Sequence, residues 1–308
     1  MNQELDKRWG IIYCPKQGVR HSQKRWERIR GYLEQYGVAY DFVQSENPES
    51  VERLTQMLIG NNYRTLIIVG GDSALNRALN GLLRMDERVR QEVALGVIPN
   101  GRGNDYASFW GYDEDHDEQT VKWLVAHRVR KVDVGYLEQQ GTRRYFLNCV
   151  NVGLVANIMK LKYKTRRIFG FSALSYLSSM FLLLFQRLET KMHFHVNEEV
   201  IHRKVMTVCV GNAHGYGQTP SAVPYNGMLD VTVIAHPEVT QLIEGMWMLL
   251  AGRFLNHKKV KAYRTHRRIH FNDIGHACVS TDGIALDHIK TPLTIGLEKE
   301  WINFIIPG

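Results

Sequence analysis

The sequence predicts an α/β domain built on a mostly parallel sheet, followed by a mainly antiparallel β-sandwich domain. Three observations carry this. Strand and helix signals alternate over the first 133 residues, the order a helix-covered parallel sheet requires. From Val134 onward, strand-like runs joined by polar or Gly/Pro turns take over, as in a sandwich. Two glycine-bearing loops follow the third and fourth apolar strands of the first part, and in open α/β sheets ligands bind beyond the carboxyl ends of strands.

The elements follow in order. Residues 9–14 (WGIIYC) form a strand, and 22–35 a helix through Trp26, Ile29 and Leu33. Residues 38–43 are the second strand, 48–59 a helix, and 65–69 (TLIIV) a wholly apolar strand that runs into two glycines. Residues 74–85 are helical and 93–98 are the fourth strand. In the second domain, strands are expected at 144–152, 191–196, 200–210, 229–235, 260–263, 268–272, 277–281 and 291–297. The most apolar run, 169–185, falls short of the roughly 20 residues a bilayer span needs and is broken by four serines. It reads as a buried helix or one lining an acyl-chain pocket. Residues 239–255, with Trp247, form a second amphipathic helix.

Composition narrows the function class. With 44% hydrophobic and 23% charged residues in a chain of 308, wholesale disorder is excluded. The net charge of +8 suits nucleotides or an anionic membrane surface. Nucleic acid has only that diffuse charge in its favour, so it is not expected as a partner. The basic run 258–268 alternates with apolar positions and reads as a solvated strand face. Four widely spaced cysteines and a polar N-terminus that is no secretory signal point to reduced thiols and a cytoplasmic chain. Thirteen histidines show no metal-binding helical spacing; His193 and His195 alternate on a strand, as surface histidines do.

The chemistry concentrates in two loops. Gly70-Gly71-Asp72 lets backbone approach a phosphate, and the N–H groups opening the next helix favour an anion. Asp72 is suited to hold magnesium, orient a hydroxyl or accept its proton; a plain turn with an N-capping Asp has the same sequence. The second loop, Pro99-Asn100-Gly101-Arg102-Gly103-Asn104-Asp105, is another tight polar strand-to-helix turn at the same sheet edge.

These residues resemble the diacylglycerol kinase catalytic family, which includes bacterial lipid kinases and sphingosine and ceramide kinases. Its GGDGT and P-x-G-x-x-ND motifs appear as GGDSALNRALNGL and PNGRGNDYA. Asn151-Val152-Gly153, Gly211-Asn212, Asn226–Asp230 and Asp282-Gly283 are similar to its later motifs, in order. The resemblance implies a Rossmann-like, phosphofructokinase-like nucleotide domain (1–133 with a returning segment 300–308) and a lipid-binding sandwich (134–299), with ATP between them. It implies nucleotide binding by Gly70, Gly71, Asp72, Ser73, Asn76, Gly101, Gly103, Asn104 and Asp105. It further implies catalytic roles for Asp72 and Asp282, a structural magnesium at Asp230, and ATP and magnesium as cofactors.

The partners implied are a lipid substrate and a transient membrane surface, and an exposed edge strand in the second domain makes a homodimer unsurprising. The chain departs from the pattern at Ser73, Ala74, Asn226, Ser108 and Ile284, the last replacing the glutamate of DGE. If position 73 needs positive φ, serine costs about 1 kcal/mol there. Two readings stay open: an ATP-dependent kinase of a diacylglycerol-like or long-chain-base lipid, and a catalytically impaired nucleotide- or lipid-binding relative. A third, another kinase sharing the GGD turn such as an NAD kinase, is disfavoured by the later motifs and the apolar 169–185 run.

Overall fold

The computed structural model describes residues 8–15, 21–101, 103–157, 190–235 and 259–308. The segments 169–185 and 239–255, the N-terminal residues 1–7, Arg102 and Lys258 lie outside the described residues. The chain divides into two compact units, Met1–Asp133 with Lys299–Gly308, and Val134–Glu298.

The first unit runs β1 (Trp9–Tyr13), α1 (His21–Gln35), β2 (Tyr40–Gln44), α2 (Ser50–Gly60), β3 (Thr65–Gly70), α3 (Asp72–Leu83), α4 (Glu87–Glu92), β4 (Ala94–Pro99), α5 (Asp105–Phe109) and α6 (Asp117–Ala126). The strands are parallel, in the order β4-β3-β1-β2. β1, β3 and β4 are buried throughout, which is why they read as unbroken apolar runs rather than alternating ones. α2 buries Val51, Leu54, Leu58 and Ile59 at the helical spacing visible in the sequence. Helices α4, α5 and α6 have no counterpart in the sequence reading. They are short and charged at their starts, and α4 buries little more than Arg90.

The strand β5 (Val129–Gln139) carries the chain out of the first unit. The second unit is antiparallel: β6 (Thr142–Phe146), β7 (Cys149–Gly153), β8 (Thr190–Val196), β9 (Glu199–Gly211), β10 (Leu229–Ala235), β11 (Val260–Thr265), β12 (Ile269–Asp273), β13 (Val279–Thr281), β14 (Ile284–Leu286) and the first part of β15 (Leu293–Ile305). β9 pairs with β8 through its first half and lies between β7 and β10 through its second. Alternate residues of these strands form one apolar core, in which Phe194 stacks on Phe271 at 4.7 Å. The expected single strand 144–152 is two strands, interrupted at Leu147-Asn148 where the backbone N–H groups turn onto a side chain described below. The last residues of β15 re-enter the first unit and pair parallel with β4, Asn303 opposite Ala94 and Phe304 opposite Leu95. No disulfide joins any of the four cysteines.

Candidate nucleotide site

β3 delivers Gly70 and Gly71 directly to the start of α3, and β4 delivers the 99–105 loop beside it. Gly70 pairs with Pro99 in the strand register, and Asn100 donates its N–H to the Gly70 carbonyl at 2.9 Å. The two loops then touch through bare backbone. A Cβ added at Gly101 would stand 2.5 Å from the Gly71 Cα and 2.6 Å from Asn104 Oδ1, and one added at Gly71 would stand 2.8 Å from the Gly101 Cα. Any side chain here forces the loops apart.

Asp72 locks them. Its Oδ2 accepts the Asp105 N–H and its Oδ1 the Tyr106 N–H, each at 3.0 Å. These are orphan donors at the start of α5, so the first loop's carboxylate caps the second loop's helix. Burial pushes the Asp72 carboxyl up from its ordinary value, and the backbone N–H groups of Tyr106, Asp105 and Asn104 partly offset that. Asn104 sits in the left-handed region at φ 56°, which asparagine tolerates. It closes the loop by accepting the Gly101 N–H at 2.8 Å and donating to Glu114 Oε1 at 2.7 Å.

The arrangement suits a phosphate. The N-cap of α3 is Gly71 and Asp72 is the one acid in its first turn; a helix N-terminus of this kind favours an anion. Gly103 is exposed and Gly101 half-exposed. The Oδ2 atoms of Asp105 and Asp72 lie 2.8 and 3.4 Å from where a Gly103 Cβ would stand. Both carboxylates therefore border the space over Gly103. Asn76 is buried and turned to its own helix, accepting from Asn80 Nδ2 at 3.2 Å. Ser73 lies inside α3 and takes no positive φ. The strain anticipated for serine at this position is therefore absent.

A buttress under the second loop went unnoticed in the sequence. Arg25 of α1 donates to the Pro99 carbonyl at 2.8 Å and to Asn100 Oδ1 at 3.1 Å. The same guanidinium forks onto Asp117 at 2.6 and 3.0 Å, and Arg28 reaches the other Asp117 oxygen at 2.6 Å. Asp117 is 4% exposed. In the sequence Arg25 is one of several cations in α1, and Asp117 one of five acids in 113–118, so neither stands out. From behind, Phe304 of β15 meets Tyr106 edge-on at 5.1 Å, which seats α5.

Asp282 and Asp230, in the second unit, are fully engaged. Asp282-Gly283 is the two-residue turn of the β13–β14 hairpin, with both φ positive (45° and 78°), as a type I′ turn requires. The Asp282 carboxylate is buried and accepts three backbone N–H groups, from Leu147 at 2.8 Å and from Asn148 and Cys149 at 2.9 Å. This is the side chain that interrupts the expected 144–152 strand. These bonds engage both oxygens, a poor arrangement for a proton acceptor. Asp230 faces the Arg264 guanidinium, at 2.6 Å to one oxygen and 3.0 Å to the other. With a bidentate cation already in place, Asp230 does not fit the structural magnesium expected of it. Ile284, which replaces an expected glutamate, is half-buried in β14 opposite Thr281.

A parallel-sheet unit with glycine loops at its strand ends, continued by an antiparallel unit, defines an α/β domain joined to a sandwich-like domain. The diacylglycerol kinase catalytic domain matches residues 8–137, and the YegS C-terminal NAD kinase beta sandwich-like domain matches residues 148–302. The chain belongs to this diacylglycerol and lipid kinase family. It is 23% identical over 266 residues to the diacylglycerol kinase of Bacillus subtilis (strain 168), covering 85% of this chain and 84% of that protein. It is 21% identical over 283 residues to the diacylglycerol kinase of Staphylococcus carnosus (strain TM300), covering 91% and 89%. A crystal structure of a diacylglycerol kinase from Bacillus anthracis str. Sterne superposes with a TM-score of 0.68 at 18% identity over 97% of each chain; that likeness speaks for the fold. Among the described residues no helix is long and apolar enough to cross a membrane.

Proposed function

We propose that the chain is an ATP-dependent lipid kinase that moves the γ-phosphate to the hydroxyl of a diacylglycerol-like lipid. The observation that carries this is the Asp72 lock: one carboxylate ties both glycine loops together at the start of α5. Backbone N–H groups at the start of α3 hold the nucleotide phosphates. Asp72 and Asp105 would hold a magnesium ion, which neutralises charge developing on the transferred group. Asn104, Arg25 and Asp117 keep the second loop in place. Such transfers pass through a loose transition state, so positioning and electrostatics matter more than a strong base. Asp282 accordingly acts as a positioning residue for the β6–β7 corner. Relatives named diacylglycerol kinases favour a neutral acylglycerol over a long-chain base as substrate, and a cytoplasmic chain with transient membrane contact accords with such a substrate.

The test is calorimetric binding of ATP with magnesium to wild type and Asp72→Ala, followed by turnover on a mixed lipid panel. Binding abolished by Asp72→Ala, with lipid-dependent transfer, supports the reading; absence of nucleotide binding ends it. One second reading rests on Ile284 and on the engaged Asp282 and Asp230: a relative that binds nucleotide or lipid without transfer. Nucleotide binding with no turnover on any lipid, and turnover created by Ser73→Gly, Ala74→Thr and Ile284→Glu together, would select it.

A further inference from the structure

The outer face of the second unit carries a feature that the nucleotide site does not use. Met192, Phe194 and Val196 of β8 enter the core, which turns Lys191, His193 and His195 to the opposite side. On β9, Ile201 and Val205 go inward and leave Val200, His202 and Lys204 outward. On β12, Ile269 and Phe271 go inward, leaving His270 and Asn272 outward with Arg268 just ahead of the strand.

The register stacks these residues across three strands. Lys191 pairs with Lys204, His193 with His202, and His195 with both Val200 and His270. The His193 ring lies 5.1 Å from that of His202 and 5.4 Å from that of His195. Val200, at 55% exposed, projects among them.

Among the described residues, the following groups surround them. His195 Nε2 is 3.3 Å from Asn272 Nδ2, and His270 Nδ1 is 3.0 Å from Thr294 Oγ1 of β15. Asp273, opposite His193, already accepts the Gly275 N–H at 2.8 Å. Glu199 is paired with Lys261 at the end of β9, and Glu298 of β15 with Arg143. Among the described residues the face carries Lys191 and Arg268 as fixed cations, the Asp273 carboxylate and four imidazoles.

We propose that this histidine-and-lysine face docks the protein on an anionic lipid bilayer, and that acidification switches the docking on. Imidazoles gain charge between about pH 8 and 5, and each added cation near an anionic surface is worth about fivefold in partitioning. An anionic surface favours the charged form of an imidazole, so docking and protonation reinforce each other. An exposed Val200 at the β8–β9 turn end of this face suits a bilayer, since a short apolar side chain enters the headgroup layer while the cations stay among phosphates. The inference goes beyond the kinase reading and needs neither nucleotide nor phosphate transfer.

The test is sedimentation of the full chain with vesicles of phosphatidylcholine alone or mixed equally with phosphatidylglycerol, at about pH 5.5 and about pH 7.5. Partitioning to the anionic vesicles is expected to rise about tenfold or more at the lower pH and to fall with salt. The combined variant His193→Asn, His195→Asn, His202→Asn and His270→Asn is expected to lose the rise while keeping the weaker binding at neutral pH. A pH rise that persists in the variant overturns the proposal, as does equal binding to neutral vesicles. Acid-induced dimers without vesicle binding also overturn it, because the face would then serve a second copy. Wild type gives an independent reading. Its imidazole proton resonances must titrate at higher pH when anionic vesicles are added, and no displacement sinks the coupling even if the variant fails to fold.

Discussion

Gly101→Ala tests whether the two glycine loops work as one object. The new methyl would stand 2.5 Å from the Gly71 Cα and 2.6 Å from Asn104 Oδ1, where carbon atoms prefer about 3.5–4.0 Å. The loops must part by about 1 Å, and the 2.8 Å Gly101–Asn104 hydrogen bond is the first contact to stretch. Overpacking of this kind costs about 1–3 kcal/mol. For a unit of this size that lowers Tm by about 2–12 °C. The functional loss should be larger than the stability loss, because a displacement of about 1 Å at a reacting centre can cost about a hundredfold. Calorimetry with ATP and magnesium, alongside a thermal melt, separates the two. A variant that melts lower yet binds nucleotide as tightly as wild type would refute the shared-site argument, leaving the loop contact a matter of packing.

Three further outcomes follow from the same geometry. Asp282→Ala leaves three buried N–H groups without their acceptor and should cost about 3–5 kcal/mol in urea unfolding, with Asp282→Asn recovering part of it; an Asn variant of full stability and no turnover would restore Asp282 as a base. Arg25→Lys cannot reproduce the fork that joins Asp117 to Pro99 and Asn100, so KM for ATP should rise more than kcat falls, and an unchanged KM would free the loop from α1. Asp72 has a carboxyl pushed up by burial, so its ionised form is the costly one: stability without ligand should drop as pH rises through that raised value. Binding of nucleotide with magnesium needs the carboxylate and should weaken as pH falls through the same value, a dependence that calorimetry must find missing in Asp72→Asn.

The sheet of the first unit was legible because β1, β3 and β4 are buried on both faces and so spell continuous apolar runs. The glycine loops were legible as tight strand-to-helix turns, because each follows an apolar strand with glycine and a polar helix start. Arg25 and Asp117 were not, since their meaning lies in a contact between residues 92 positions apart, and each is surrounded in sequence by residues of the same charge. The break at Leu147-Asn148 was hidden for a similar reason: the apolar-rich run 144–152 reads as one strand, and only the Asp282 carboxylate, 135 positions on, diverts the backbone. The histidine face left a trace as alternation at 193 and 195, but His202 and His270 join it only through strand register.

The departures from the family pattern divide once the backbone is known. Ser73 and Ala74 sit in the first turn of α3 with helical geometry, and Ala74 is buried against Gly70, whose added Cβ would meet it at 2.8 Å. A threonine there would have to turn its larger branch away from that contact, so alanine suits this local packing. Ile284 is different. It occupies a β14 position opposite Thr281, beside a turn whose aspartate is already committed, and it removes a charge without removing any shape. Backbone strain therefore gives no reason to read the chain as impaired, whereas a lost carboxylate does. Of the three restoring substitutions, Ile284→Glu alone should carry most of any gained turnover; a gain that instead required Ser73→Gly would mean that α3 begins differently once nucleotide is bound.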